Sequence, residues 1–352
     1  MTSHAALDAP EPASTDAPQD RSGPELIKAS QAFQAENRWT SWKLLLTTVA
    51  ALVAGLCLVL WIEPWPIKIL AGALVGLVQV RLFIFYHDAL HGAIFSHDPV
   101  ARLFMRLVGV YLMILHGVWK ETHDHHHQNN ARQLGSSIGT FPVLTIAMLQ
   151  RLSRWDRLRY RIARHGLTML AGSLTMMLGG MVWAPLMRQP RRHWGGPLAV
   201  ALHILVFIAV GWYAGWINAL CLLTVPCLVS MAIGTYLFYA QHNFPAMKLT
   251  SRTEWTFAAA AMQASSMFEM SPLMRWFTGD IGYHHVHHLN HRIPFYRLRE
   301  AMEAIPELQQ PGRTSWHIRD IRACLDLCAW DPELQRMLSW REARSRLDVR
   351  AA

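Results

Sequence analysis

Histidines occur in this chain in three compact sets with helical spacing. HDALH places two histidines at i and i+4, whereas THDHHHQ and YHHVHHLNH each include three at i, i+3 and i+4. On a helix such positions share one face. The eight residues are His87, His91, His123, His126, His127, His284, His287 and His288. Because imidazole is a common metal ligand, these sets predict a metal centre.

Eight imidazoles are too many for one tetrahedral ion. A closed zinc site takes about four ligands and a catalytic one about three, so the sets predict two ions of higher coordination number. Imidazole accepts iron, copper, nickel and zinc, and the ligand type therefore leaves the metal open. The chain lacks the set of glutamates that builds carboxylate di-iron bundles. The predicted centre is all-nitrogen.

Polar residues beside the sets are candidates to accept hydrogen bonds from the free ring N–H groups of metal-bound histidines. Asp88, Asp124 and Asp280 lie beside the three sets, and Asn130 follows the second. The alternative for each aspartate is a helix cap or a surface position. Three further histidines fall off the ligand faces and are expected to be neighbours only: His125, His285 and His291.

The composition indicates a membrane protein. Of 352 residues, 52% are hydrophobic and 16% are charged, and the mean hydropathy is +0.14. The net charge of +9 would suit nucleic acid or an anionic membrane surface. Arginines cluster beside apolar segments, and no basic strip is interleaved with aromatic residues, so the membrane is favoured and nucleic acid is not.

Four apolar runs have the length of about 20 residues that crosses a bilayer. They form two predicted hairpins, residues 44–60 with 67–86 and residues 198–215 with 218–240. Residues 151–164 contain six arginines, which places this region on the cytoplasmic side. Residues 168–187 are flanked by arginines at both ends, and we expect an interfacial or re-entrant segment broken at Gly179 and Gly180.

The predicted fold is therefore all-α: a polytopic helical membrane protein with about four spans, interfacial helices and a cytoplasmic helical cap that carries the histidines. Residues 1–24 are rich in Ala, Pro, Ser and Asp and are expected to form a disordered tail. Residues 25–305 form the membrane domain, and residues 306–352 are expected to add cytoplasmic helices to it. Both termini are predicted to be cytoplasmic.

The three sets resemble the histidine boxes of the membrane fatty acid desaturase superfamily. WFTGDIGYHHVHHLNHRIPFYRL, LSRWDRLRYR and FYAQHNF are similar to the corresponding segments of bacterial acyl-lipid desaturases. The resemblance extends from about residue 39 to residue 338. HDALHG also looks like the first box of carotenoid ketolases, so a carotenoid or lipid hydroxylase or ketolase of the same superfamily is the alternative.

The resemblance implies an O2-dependent di-iron enzyme that introduces a double bond into a membrane lipid acyl chain. It assigns ligand roles to the eight histidines of the boxes and to His242 in AQHNF. It also implies a bacterial inner membrane protein with a cytoplasmic active site.

The two electrons of such a reaction need a source. The sequence contains no HPGG signature, GxGxxG after a strand or iron–sulfur cysteine set, so we expect a separate ferredoxin- or flavodoxin-type donor. Residues 151–164 could dock this donor or lie on anionic lipid.

Two other classes of protein use histidine clusters. In an intramembrane metalloprotease, Asp88 of HDALH would replace the Glu of HExxH, but two histidine sets would be superfluous. A metal transporter would place its ligands along a path through the bilayer. Residues 253–274, with their methionines, are expected to line an acyl tunnel or pack the core. Arg81, inside the second span, is expected to extend to the cytoplasmic surface.

Overall fold

The computed structural model describes residues 21–132, 140–249 and 253–349. Within these ranges, four helices are long and apolar enough to cross a membrane. In chain order they are span 1 (Arg38–Trp61), span 2 (Trp65–His91), span 3 (Gly195–Ala214) and span 4 (Trp216–Gln241). Short turns join spans 1 and 2 and spans 3 and 4, so the predicted all-α membrane fold with two hairpins is confirmed.

Span 2 lies at the centre of the membrane part, packed against spans 1 and 4. The most apolar 18-residue stretch of span 2 is 67% buried, whereas that of span 3 is 11% buried. Two glycines let span 4 approach closely. A Cβ on Gly72 would lie 2.5 Å from the carbonyl oxygen of Cys221, and one on Gly76 would lie 2.8 Å from that of Pro226. Small residues four apart on one face allow such close packing of membrane helices.

The histidine sets lie on three helices that meet beside spans 2 and 4. The first set forms the last turns of span 2, which ends at His91. The second lies on His116–Asn129, which follows Pro99–Tyr111 at an angle of 94°. The third is on the short helix His284–Leu289, every residue of which is buried. His242 directly follows span 4.

Arg81 does not extend to the surface as expected from the sequence. Its side chain is 3% exposed, and its Nε donates to the hydroxyl oxygen of Thr48 at 2.9 Å. The guanidinium also donates to the carbonyl oxygen of Trp276 and lies 4.6 Å from the Trp276 ring. Partners inside the fold thus replace water, and Arg81 ties spans 1 and 2 to the segment before the third histidine set.

Residues 168–187 are helical apart from a turn at Ala171, and the predicted break at Gly179 and Gly180 is absent. A π-helix, Ser173–Trp183, runs through Gly179 and Gly180 and continues into Ala184–Arg188. Wider i to i+5 bonding maintains the backbone hydrogen bonds across the glycines, which accounts for the absence of a break. This segment is not among the four candidate spans.

The C-terminal part is not purely helical, in contrast to the prediction for residues 306–352. Helices Ile318–Asp326 and Trp340–Val349 flank an antiparallel hairpin of Leu327–Asp331 and Arg336–Ser339. Leu144–Thr145 adds a parallel strand beside the hairpin, and Met267–Glu269 pairs in parallel with Arg313–Ser315. The hairpin buries all five residues of its first strand, so core packing overrides local helix propensity here.

The remaining helices and helical stretches are short. They are Gly23–Ser30, Gln31–Phe33, Ile146–Arg151, Arg154–Ala163, Gly166–Leu170, Pro190–His193, Leu220–Thr224 (a π-helical stretch within span 4), Phe257–Gln263, Pro272–Thr278, Phe295–Arg297, Leu298–Ala304 and Pro306–Gln309. The first begins inside the predicted tail, where the backbone N–H of Ser22 donates to Glu25 at 2.9 Å and caps the helix. The rest of the predicted tail, residues 1–20, lies outside the described residues.

Candidate metal centre

The structure brings all nine histidines singled out from the sequence into two adjacent groups. In each group, one ring nitrogen per residue lies within 4.8 Å of all the others. Group 1 consists of His87, His91, His123, His127 and His287, and group 2 consists of His126, His242, His284 and His288. The rings of His127 and His288 stack at 4.3 Å between the groups. Each group could hold one metal ion, and two neighbouring ions stay a prediction.

Helical spacing explains how the second and third sets each serve both groups, whereas His87 and His91 of the first set both belong to group 1. In the second set, the i and i+4 residues His123 and His127 belong to group 1, and His126 at i+3 belongs to group 2. The third set is divided the opposite way, with His284 and His288 in group 2 and His287 in group 1. Positions i and i+4 face one direction and i+3 is rotated away from them, so one short helix can contribute to two ions.

Several ring nitrogens face more partners than a hydrogen bond can satisfy. The Nε2 of His127 lies 3.1 Å from the Nε2 atoms of both His123 and His287. In group 2, the Nε2 of His126 lies 3.0 Å from that of His242 and 3.2 Å from that of His288. A ring nitrogen of neutral imidazole either donates or accepts, along one direction. A cation between the nitrogens would satisfy all of them together, so these residues fit a metal.

The spacing of the nitrogens also bears on the coordination geometry. Ligand nitrogens about 2.1 Å from a common ion lie about 3.0 Å apart at an angle near 90°, and about 3.4 Å apart at the tetrahedral angle. The contacting Nε2 pairs in both groups are 2.9–3.2 Å apart, including the 3.1 Å between His87 and His123. These short pairs are compatible with angles near 90°, and the five nitrogens of group 1 exceed a tetrahedral set, so group 1 suits an ion of higher coordination number than four.

Burial keeps the histidines in the neutral form that binds metal. Desolvation holds the pKa of His123, His126 and His127 well below the usual value, and neighbouring histidines add to the effect. Burial lowers the pKa of His242 to about 4. A second proton on any of these rings would be a buried charge beside other imidazoles, so the lone pairs stay available near neutral pH.

Two of the nine histidine rings are oriented by hydrogen bonds from their Nδ1 atoms. His87 Nδ1 donates to the Oδ1 of Asp88 at 2.9 Å, and the other carboxylate oxygen accepts from the backbone N–H of Phe295 at 2.7 Å. His242 Nδ1 donates to the carbonyl oxygen of Ala264 at 2.9 Å. Both bonds leave Nε2 free as the ligand atom.

The other three polar candidates contact different groups. Asp124 pairs with Lys120 at 2.7 Å on the more exposed face of its helix. Asp280 pairs with Arg275 at 2.6 Å. The side-chain amide of Asn130 donates to the carbonyl oxygen of Ala260 and the hydroxyl of Ser265. Among the four candidates, only Asp88 has a hydrogen bond to a group 1 or group 2 histidine within the described residues.

Histidines predicted to be mere neighbours lie outside both groups. The Nε2 of His285 donates to the carbonyl oxygen of Leu308 at 3.0 Å. The ring of His291 lies 4.7 Å from that of His91 but is not in group 1. The carbonyl oxygen of His125 accepts from Asn129 on the outer face of the helix.

Sequence reasoning missed two aromatic residues that form the walls of the centre. Trp119 stacks on His123 with ring centroids 4.1 Å apart, and Phe238 lies 5.1 Å from His126 and 5.6 Å from His242. Both were detectable by spacing, since each precedes a ligand by four residues on the same helical face. They pack directly against histidine rings of both groups.

The family of the chain follows from comparison with known proteins. The fatty acid desaturase family model matches residues 63–320. This chain belongs to the fatty acid desaturase family. Among curated relatives, a fatty acid desaturase of Bacillus subtilis (strain 168) is 27% identical over 262 residues, 74% of each chain.

Two further relatives are similar over most of their length. The chloroplastic omega-6 fatty acid desaturase of Glycine max is 23% identical, over 82% of this chain and 68% of its own. The sn-1 acyl-lipid omega-3 desaturase (ferredoxin) of Synechocystis is 23% identical, over 72% of each. This desaturase is thus a membrane-embedded oxidoreductase with a metal cofactor, and the hydroxylase or ketolase alternative is not favoured.

Proposed function

We propose that the desaturase binds two irons through group 1 and group 2 and introduces a double bond into the acyl chain of a membrane lipid. The observation that carries the proposal is the pair of buried, all-histidine groups with contacting nitrogens 2.9–3.2 Å apart. A methylene C–H bond is neither acidic nor attached to a leaving group, so acid–base or nucleophilic chemistry does not reach it. Reduced iron supplies the oxidising chemistry with O2 that such a bond requires.

The reaction balances with one O2, two electrons and two protons. Two hydrogens leave adjacent carbons, a C=C bond forms, and two waters are released. The protein residues hold the two irons and orient the histidine rings that bind them. Asp88 fixes the ring of His87, the carbonyl of Ala264 fixes that of His242, and Trp119 and Phe238 exclude bulk water.

The acyl substrate is proposed from the relatives and from the surroundings of group 2. A cavity of about 40 Å³ borders His126 and His242, and its other walls include Phe141, Val143 and Met247. Asn129, Asn130 and Thr140 also line this space, which is large enough for one or two methylene groups of a chain beside the histidines. The Synechocystis relative carries acyl-lipid in its name, and we extend this substrate class to the present desaturase.

The donor and orientation are proposed on electrostatic grounds. Helix Arg154–Ala163 presents arginines at the histidine-bearing end of the molecule. By the positive-inside tendency this end is cytoplasmic, in the inner membrane of a bacterium. The Synechocystis relative is named as ferredoxin-dependent, and a ferredoxin- or flavodoxin-type protein is the proposed electron donor here.

The test is expression in a host without aerobic desaturases, together with a ferredoxin system, followed by gas chromatography and mass spectrometry of total fatty acids. We expect a new unsaturated acyl chain, absent from a His126→Ala, His127→Ala control. His97→Gln, at an exposed histidine outside the centre, serves as the matched variant that keeps activity. A hydroxylated chain in place of the alkene, or no change despite two bound irons, would overturn the proposal.

A further inference from the structure

A second cavity of about 1040 Å³ lies beside span 4, away from the ligand histidines. Helix Gly166–Leu170, span 4 and helix Ile318–Asp326 surround it. One side is apolar and includes Leu167, Leu170 and Ile233. The other side carries arginines, among them Arg319 and Arg322. A cavity of this size holds a molecule much larger than water.

Its position is the lipid–water boundary. The helix before it exposes an apolar stripe of Trp155, Leu158 and Ile162, and Leu167 and Leu170 continue the exposed apolar surface. Arg161, which lies beside this stripe, also lines the cavity. An exposed apolar stripe next to basic residues is typical of a helix in the membrane interface. The cavity therefore opens where lipid head groups lie.

The charge of the cavity favours an anion. Its lining includes four arginines and one carboxylate, that of Asp326. Arg164 is occupied by the carbonyl oxygens of Pro142 and Leu327, but Arg161, Arg319 and Arg322 have exposed side chains. Arg319 has a carboxylate 3.6 Å away, on Asp320. Guanidinium groups bind phosphate through paired N–H donors.

Two polar atoms in the walls lack partners. Tyr236 Oη and Trp316 Nε1 are buried, and neither has a hydrogen-bond partner among the described residues. Both rings line the cavity and lie 5.5 Å apart. Unsatisfied buried donors cost free energy, and a small rotation of either ring towards an acceptor on a bound molecule, such as an ester carbonyl oxygen of a glycerolipid, would remove that cost.

The apolar wall leads into a further cavity of about 640 Å³. The 640 Å³ cavity shares the lining residues Ile233 and Trp316 with the 1040 Å³ cavity, and it is also lined by Met270 and Met274. Tyr236 precedes the ligand His242 by six residues, about 9 Å of helix. An acyl chain that follows this wall stays close to the metal centre.

We propose that the cavity binds a glycerophospholipid, with its phosphate at Arg161, Arg319 and Arg322 and one acyl chain along Ile233 towards Met270. The inference rests on the proposed function in one respect, that the bound lipid is the form in which the acyl chain is presented for desaturation. Lipid binding itself does not depend on catalysis.

The first experiment measures lipid binding by native mass spectrometry of the purified desaturase titrated with phosphatidylglycerol. The test variant is Arg319→Gln, Arg322→Gln. Its control is Arg341→Gln, Arg344→Gln, another exposed pair three residues apart, on the last helix and outside the cavity lining. We expect the Kd for phosphatidylglycerol to rise about tenfold or more in the test variant only, because two guanidinium contacts are lost. Diacylglycerol, which lacks the phosphate, should bind both variants equally.

Equal binding of phosphatidylglycerol by both variants would overturn the site, and so would an equal loss in both, which indicates general attraction to a basic surface. The second measurement is phospholipid desaturation in the expression host. Wild-type rates in a variant that no longer binds the lipid would overturn the role in presenting substrate and leave the proposed function intact. If the wild-type chain forms no alkene, the proposed function fails, whereas the binding comparison still decides the lipid site.

Discussion

The facing ring nitrogens of the histidine groups form contacts that they cannot satisfy among themselves. His123 Nε2 lies 3.1 Å from the Nε2 atoms of both His87 and His127, and one imidazole N–H cannot satisfy both contacts. These rings are also deeply buried, so they cannot turn to water. The close approach of these nitrogens is favourable only when a cation lies between them. Metal binding should therefore stabilise the fold.

Asp88 is the residue whose effect on the centre can be isolated most sharply. In Asp88→Asn, one side-chain atom can still accept from His87, but the amide nitrogen then faces the backbone N–H of Phe295. Asp88→Ala loses both bonds. We expect metal affinity to fall about 10-fold to 100-fold in Asp88→Ala and less in Asp88→Asn. Metal retention against a graded chelator, measured by elemental analysis, checks this, and Asp124→Ala is the control. Equal retention in Asp88→Ala and Asp124→Ala would contradict the role of Asp88.

His242 provides a test of the division into two groups. It is one of four group 2 residues, whereas group 1 has five. His242→Ala should lower the metal content from about two ions to about one per chain and abolish desaturation, since group 1 remains complete. Elemental analysis of the purified variant gives the stoichiometry, and His97→Gln is the control. Loss of both ions together, or retention of both, would show that the two groups do not bind independently or that His242 is not a ligand.

The clustering of these histidines was predictable because its signal is local, but their division between two groups was not. His126 and His127 are adjacent in the chain and belong to different groups, because the outcome depends on which neighbouring helix each ring faces. The same reason explains why Asp88 contacts a group 1 histidine whereas Asp124 pairs with Lys120. Sequence proximity to a ligand does not reveal whether a carboxylate points towards the rings or towards a lysine one turn away.

Among the elements, span 2 carries the first histidine set and depends on close packing with span 4. Gly76 lies at the contact, where an added Cβ would meet Val229 Cβ at 2.8 Å as well as the carbonyl of Pro226. A Cβ added to Gly234, in span 4, would have no neighbouring atom within 4 Å. The two glycines form a matched pair for measuring how tightly the spans must approach.

Gly76→Ala should destabilise the protein and Gly234→Ala should not. The first change separates the helices or strains them, at a cost of about 1–3 kcal/mol. The second only improves helix propensity, by up to about 1 kcal/mol. Thermal unfolding in detergent, with metal content measured on the same samples, tests the pair. Equal Tm values for both variants would mean that the close approach at Gly76 does not stabilise the fold.

The spans were predictable because a run of about 20 apolar residues has few alternatives. The C-terminal hairpin was not, because Leu327–Asp331 is short and its burial comes from packing against distant segments. The π-helix Ser173–Trp183 was likewise not predictable, because no sequence pattern other than its two glycines indicates it. Those glycines were equally consistent with the break that we expected. Arg81 was misjudged because its partners, Thr48 and Trp276, are remote in sequence.

Over the whole molecule, the parts outside the membrane are tied to the metal centre through buried polar contacts. Arg164, 1% exposed, donates to the carbonyl oxygens of Pro142 and Leu327 and to the side chain of Asn243, the residue after His242. One side chain thus joins the basic segment, the end of span 4 and the C-terminal hairpin. This connection places an arginine-bearing surface in a fixed position relative to group 2.

That surface is the region where an acidic electron donor is expected to dock. Arg154 and Arg157 lie one helical turn apart, are exposed, and are separate from the arginines of the lipid cavity. Arg154→Glu, Arg157→Glu should lower kcat/KM for reduced ferredoxin about tenfold or more at low ionic strength, with the difference narrowing as salt screens the charges. Turnover with a small chemical reductant should not change, because the metal centre is untouched.

Arg341→Glu, Arg344→Glu is the control for net charge, and an equal loss with this pair would mean that overall charge, and not a docking site, sets the rate. A loss that persists at high salt or with the chemical reductant would instead indicate damage to the fold, because electrostatic steering acts only on the encounter with the donor.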